Sequence, residues 1–148
     1  MDKYNNRLNP KGVYLTVLKK QNNCALIYVY RVSHLKSDLK KECVKCLLST
    51  YGYTDFSAHG AIEKLKEHFN TSEKFPHEIG LFLGYPPDDV HAFIKNSGRN
   101  FIFTGCWKVY HNEFEAVKTF AKFDKCKQIY CRLWKEGMRT VQQLTVAA

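Results

Sequence analysis

FPHEIGLFLGYPPDDVHAFI, residues 75–94, decides how the chain is divided. Pro76 suits the first position of a helix, where its missing N–H costs nothing, and Gly84 suits the break after it. Pro87 opens a second helix, and Asp88 and Asp89 fall in its first turn, where the helix dipole favours negative charge. The spacing turns Ile79, Phe82 and Leu83 inward from the first helix and Val90, Phe93 and Ile94 from the second, with Gly98 as the stop. The stretch contains no lysine or arginine, although the chain carries a formal net charge of +9. It is read as a rigid two-helix junction in a basic protein.

Before it, residues 1–11 are a polar lead-in. GVYLTVL from Gly12 and CALIYVYR from Cys24 are β-branched and aromatic and predict a hairpin. Asn22-Asn23 suits its turn, within a polar connection from Lys19 that is longer than two residues. The second run is apolar almost throughout, which predicts a strand that is central or covered on both faces. From Ser33 to Thr50 the period changes to that of one amphipathic helix, with Leu35, Leu39, Cys43, Leu47 and Thr50 near one stripe and Val44 and Leu48 widening it. A shorter helix over Ala58–Phe69 turns Ile62, Leu65 and Phe69 inward.

After it, RNFIFTGCWKVY, residues 99–110, is strand-like, with Gly105 permitting a bend. Asn112 caps a following helix and Glu115 completes a capping box. Phe114, Val117 and Ala121 form its apolar progression, widened by Phe120 and Phe123. The helix either stops at Asp124 or continues through Ile129, Tyr130, Leu133 and Trp134 to a stop at Gly137, and a short terminal helix follows. The order β-β-α-α-α-α-β-β-α-α predicts an α+β fold: a single compact domain over residues 12–148, with a small antiparallel sheet packed against several helices. The N-terminal hairpin is expected to pair with residues 100–110.

A chain of 148 residues with 45% hydrophobic and 14% aromatic side chains has enough apolar surface for one core. No apolar run is long enough to span a bilayer, so no membrane insertion is expected. The opening MDKYNNRLNPKG has no apolar signal region, which predicts a cytoplasmic protein with reduced thiols. The positive charge is concentrated in the first fifty residues and in the last third of the chain. That distribution suits nucleic acid, a nucleoprotein or an acidic protein as partner.

The phrase FPHEIGLFLGYPPDDVHAFI, followed by GCWKVY and KCKQIY, resembles the bacterial family DUF3793, whose function is unknown. The pattern falls here on His77, Glu78, Gly80, Gly84, Tyr85, Pro86, Asp89 and Val90, then on Trp107, Lys108, Val109, Tyr110, Cys126 and Tyr130. The likeness runs from near Gly12 through the C-terminal helical segment. Against the family pattern the chain is N-terminally shorter, and Cys106 stands where the family more often has tyrosine. The resemblance implies a shared fold and no particular reaction.

His77-Glu78 pairs a group that titrates near neutrality with a carboxylate. The zinc-protease spacing H-E-x-x-H is not completed, because Leu81 holds the last position. Lys108 and Tyr110, alternate to Trp107 and Val109 on a strand, offer a cation and a hydroxyl. With Cys126 these are the catalytic candidates of an enzyme of unspecified reaction. Cys43 and Cys46 have C-x-x-C spacing, and zinc with them, joined by Cys106, Cys126 or Cys131, is the minority alternative to buried small side chains. No cofactor is otherwise predicted. A helix-turn-helix reading of residues 76–96 places Asp88 and Asp89 against phosphate, which disfavours it. The binding candidates are Lys36, Lys40, Lys41, Lys45, Arg99 and Arg132. A binding or regulatory protein that contacts nucleic acid or a nucleoprotein is the first expectation; an enzyme and an adaptor for an acidic protein are the alternatives.

Overall fold

In the computed structural model, which describes residues 1–137 and 139–147, the first eleven residues are ordered as a helix, Asp2–Leu8 (α1), and a 3-10 turn, Asn9–Lys11. They lead into an antiparallel hairpin of Val13–Gln21 (β1) and Cys24–Arg31 (β2). The connection is tighter than its polar composition suggests. β1 continues through Lys19 and Lys20 to Gln21, and the turn is Asn22 and Asn23 alone, both left-handed at φ 48° and 60°. Asparagine tolerates that conformation better than other non-glycine residues, and two such residues form the turn that matches strand twist. A register shift between Val17 and Lys19 adds a bulge to β1.

The region from residue 33 to 50 is two helices, Val32–Leu39 (α2) and Glu42–Ser49 (α3), broken where Lys41 is extended. The break has a packing reason. On one straight helix Val44 and Leu48 would lie about 180° around the axis from Leu35 and Leu39, at about 100° per residue. Turning the chain at Lys40–Lys41 buries all four. It also takes Cys43 and Cys46 out of the inward stripe, and both are exposed.

Ala58–Thr71 (α4) follows, capped by the Ser57 hydroxyl, which accepts from the Gly60 N–H at 3.0 Å. Leu65 is fully buried, with Ile62 and Phe69 nearly so. Next come Ile79–Phe82 (α5) and Pro87–Lys95 (α6). Pro76 precedes α5 in a turn and does not start it, and Leu81 is buried where Leu83 was expected, leaving Leu83 exposed. Gly84 takes the expected left-handed φ of 75°. Val90 is buried, and Phe93 and Ile94 are half-buried.

Two short strands, Phe103–Thr104 (β3) and Lys108–Val109 (β4), form a second antiparallel pair around Gly105. They do not join β1 and β2: among the described residues there are two separate two-stranded sheets, which corrects the expected pairing. Gly105 is required by contact, since a Cβ there would lie 2.4 Å from the Phe120 ring. Glu113–Lys135 (α7) continues through Asp124, and Val141–Leu144 (α8) is the last element described. Asn112 caps α7 by accepting from the Glu115 N–H at 3.5 Å, while the Glu115 carboxylate pairs with Lys118. Ala116 and Phe120 face inward; Phe114, Val117 and Phe123 are exposed, which moves the buried stripe from its expected place.

The main core joins Leu18 and Tyr28 of the hairpin to α2, α3, α4, α5 and Val90 of α6. Val109, Ala116 and Phe120 form a second, smaller core with Phe103 and Trp107 against it. The result is the expected α+β domain with small antiparallel sheets against helices. At the main core's centre, burial and then the Glu78 carboxylate raise the Tyr53 phenol far above its usual value of 10.0, and burial likewise raises Tyr28, whose hydroxyl donates to the Phe82 carbonyl. A phenol whose folded pKa is raised contributes stability that is present below its unfolded value and lost as pH rises beyond it. Stability to urea is therefore expected to hold up to about pH 9 and to fall steeply above about pH 10. Tyr53→Phe should flatten that fall.

Candidate functional site

The segment between α5 and α6 is fixed by two buried carboxylates that do different work. Glu78, just ahead of α5, is hydrogen-bonded to His68 Nδ1 of α4 at 2.7 Å and accepts from the Tyr53 hydroxyl at 3.4 Å. It is 3% exposed. Its carboxylate therefore faces the core, away from a joint site with the neighbouring His77. His77 is exposed, its ring packed between Phe75 and Phe93 at 5.5 and 5.0 Å between centroids. Adjacent side chains in a tight turn diverge, and here they do so fully.

Asp89, in the first turn of α6, is also 3% exposed. One carboxylate oxygen accepts from the backbone N–H groups of Tyr110 and His111 at 2.9 and 3.0 Å, and the other accepts from Trp107 Nε1 at 2.8 Å. His111 Nδ1 lies 3.4 Å away. The helix dipole stabilises this charge, and three N–H donors satisfy it. Asp89 thus clamps α6 to the strand pair and fixes the Trp107 indole, which stacks on Tyr85 at 5.0 Å and meets Phe120 edge-on at 4.5 Å. The residue was expected only to complement a helix dipole.

The clamp shapes an apolar groove of about 560 Å³. Leu26, Ile27 and Tyr28 of β2 line it, as do Thr104 to Lys108. Gly80, Leu83, Val90 and Phe93 line it too, with Phe75, His77 and Asp89, whose carboxylate is taken up by the clamp. Such a volume is in the range of sites for small molecules or short peptide segments. Lys108 is the lysine of the lining. Its ammonium donates to the Gly98 carbonyl at 2.6 Å and sits 4.7 and 5.8 Å from the ring centroids of Phe101 and Phe93. No carboxylate is paired with it among the described residues.

Of the five catalytic candidates, His77 and Lys108 share this groove, and Glu78 does not enter it. Tyr110 is half-buried; its hydroxyl is buried without a hydrogen-bond partner among the described residues, and burial followed by the Asp89 charge raises its pKa. Cys126 is exposed on α7. The five do not form one catalytic constellation. Cys24, Cys43, Cys46, Cys106, Cys126 and Cys131 are all exposed free thiols, which overturns the expectation of buried cysteines. Among the described residues no group of three or more His, Cys, Asp or Glu side chains is placed to hold a metal ion. Sequence reasoning missed His68 and Tyr53 as partners of the central stretch, because each reaches it from elsewhere in the chain.

The lysines on α2 and α3 divide. Lys41, at the bend, pairs with Asp38 at 2.6 Å, and Lys45 of α3 pairs with Glu42 at 2.7 Å, each three residues apart. Lys36, Lys40, Arg99 and Arg132 are exposed and have no carboxylate partner among the described residues.

A family model described as "Protein of unknown function (DUF3793)" matches residues 1–145. The chain belongs to the DUF3793 family. The match begins at residue 1, so α1 and the turn after it are part of the family domain, ahead of the expected start near Gly12. Neither the curated proteins nor the solved structures contain a match to this chain. No described helix of this family member is long and apolar enough to cross a membrane.

The clamp makes a graded prediction for this DUF3793 protein. Asp89→Ala leaves three donors in a water-poor site and is expected to cost about 2–4 kcal/mol of folding stability. Asp89→Asn keeps an oxygen for the two backbone N–H groups but turns an amide toward Trp107, and should cost about 1–2 kcal/mol. Urea unfolding read by Trp fluorescence and by circular dichroism checks both; equal losses would mean that the two backbone bonds contribute nothing beyond the indole bond.

Proposed function

We propose that this protein is a binding protein, and that its site is the apolar groove, occupied by an apolar segment of an acidic protein. The observation that carries this reading is Lys108: a cation in an apolar groove, held by one neutral carbonyl and two ring faces, with no paired carboxylate. An ammonium removed from bulk water gains most from an anionic partner when one arrives in the same low-dielectric space. The surrounding apolar side chains add affinity without selecting charge. Exposed Leu26, Ile27, Phe75 and Leu83 at the groove support the same reading, since clustered exposed apolar groups mark interaction sites. The scattered placement of the catalytic candidates favours binding over turnover.

Selection from a random peptide library, followed by titration of the selected peptides by fluorescence anisotropy, tests the proposal. The peptides are expected to combine apolar residues with Asp or Glu. Lys108→Met should weaken their binding by about 5–30-fold, equivalent to about 1–2 kcal/mol, and Lys108→Arg should largely retain it. Selected peptides without acidic residues, or indifference to Lys108→Met, would count against the groove as the site.

A second reading, contact with nucleic acid or a nucleoprotein, is supported by the exposed and unpaired Lys36, Lys40, Arg99 and Arg132. Lys41 and Lys45 contribute less, because each is already paired. Phosphate contacts release counterions, so binding to RNA, single-stranded DNA or duplex DNA is expected to weaken linearly on a log–log plot against salt. Replacing Lys36 and Lys40 together by Gln should lower that slope by about 1–2 if both touch phosphate. An unchanged slope would remove them from the interface.

A further inference from the structure

The two edges of the first sheet are treated differently. On β1 the Asn5 side chain bonds both peptide groups of Leu15, accepting from its N–H at 2.8 Å and donating to its carbonyl at 3.0 Å. The Asn70 amide donates to the Leu18 carbonyl at 3.2 Å. The outer edge of β1 is thus capped by side chains from α1 and α4. Since Leu15 faces Val29 in the register and its peptide groups point away from β2, those of Val29 point away from β1. By the two-residue period the same holds for Ile27, opposite Val17. Among the described residues no hydrogen bond reaches the N–H or C=O groups of Ile27 or Val29.

Nothing in β2 protects this edge. Proteins blunt exposed edges with charges, proline or bulges. The bulge here is in the other strand, and Cys24–Tyr30 contains neither charge nor proline. Ile27 and Val29 are 45% and 55% exposed. The open edge also faces the groove. Successive side chains of a strand point to opposite faces, and Leu26, Ile27 and Tyr28 all line the groove, as a strand meeting it along its edge would; Val29, the next outward-facing residue, lines the neighbouring cavity.

We propose that the acidic partner enters as an extended segment that adds a third strand to the outer edge of β2, in the groove between the two small sheets. This rests on the groove reading above and specifies how the groove is used. The backbone of the segment pairs with the peptide groups of Ile27 and Val29. Its alternate side chains fill the apolar floor at Leu83 and Val90, and an acidic side chain or terminal carboxylate meets the Lys108 ammonium. Strand addition of this kind takes its affinity from main-chain bonds and its selectivity from the pockets for alternate side chains.

Backbone N-methylation tests the mode without altering the protein. Two versions of a library-selected peptide carry N-methyl groups at alternate residues, displaced by one position from each other. One version loses the N–H groups that face β2 and is expected to bind at least about tenfold more weakly; the other is expected to bind within about threefold of the parent. Hydrogen exchange should show new protection of the Ile27 and Val29 amides on adding the parent peptide. If both methylated versions bind like the parent while Lys108→Met still weakens binding, strand addition is wrong and the groove reading survives. If Lys108→Met has no effect but one methylated version fails and the amides become protected, the edge is used and the acidic-groove reading fails. If sedimentation shows a dimer whose Ile27 and Val29 amides are already protected without peptide, the edge belongs to a second copy and the proposal is overturned.

Discussion

The Asp89 carboxylate is the constraint on which the second half of the chain depends. β3 and β4 contribute two residues each, too few to hold a sheet by their own ladder. Their position comes from one side chain that binds the N–H groups of Tyr110 and His111 and the Trp107 indole. Asp89 in turn is fixed because Pro87 starts α6 and the helix dipole favours charge in its first turn. A local sequence signal, PPDD, therefore sets a long-range contact. With Trp107 placed, Phe120 finds its surface and the N-terminal part of α7 is docked through Ala116 and Phe120.

Elements whose pattern is local were legible in the sequence. The hairpin, α4, α6 and the Asn112 cap follow from periodicity and from residues that satisfy helix ends. The break between α2 and α3 was not, because no proline or glycine marks it. It follows from requiring Leu35, Leu39, Val44 and Leu48 to be buried together, a tertiary condition that overrides helix continuity. The shift in the buried stripe of α7 has the same origin: Phe120 is drawn to Trp107 and Gly105, while Phe114 is left beneath Lys118 at the surface.

The candidate site was partly legible. His77 precedes α6 and Lys108 follows it in the chain, and both lie in phrases that stand out by composition. Their neighbours in sequence, Glu78 and Tyr110, point elsewhere. Adjacency in sequence was misleading for Glu78, whose real partners His68 and Tyr53 are ten and twenty-five residues away. The cysteines misled differently. Thiols are buried more often than not in globular proteins, yet the bend at Lys41 turns Cys43 and Cys46 outward.

β2 is the most instructive disagreement. CALIYVYR has the composition of a strand covered on both faces, and in the folded chain only Tyr28 of the strand is buried. The expected pairing with residues 100–110 would have resolved this by covering its edge. Instead, the Asp89 clamp holds those residues to α6, and Thr104 to Lys108 line a groove that Leu26, Ile27 and Tyr28 of β2 also line. The apolar sequence of β2 and the separation of the two sheets thus have one common explanation. The strand is composed for burial, and the fold of the single chain leaves its outer edge without hydrogen-bond partners among the described residues.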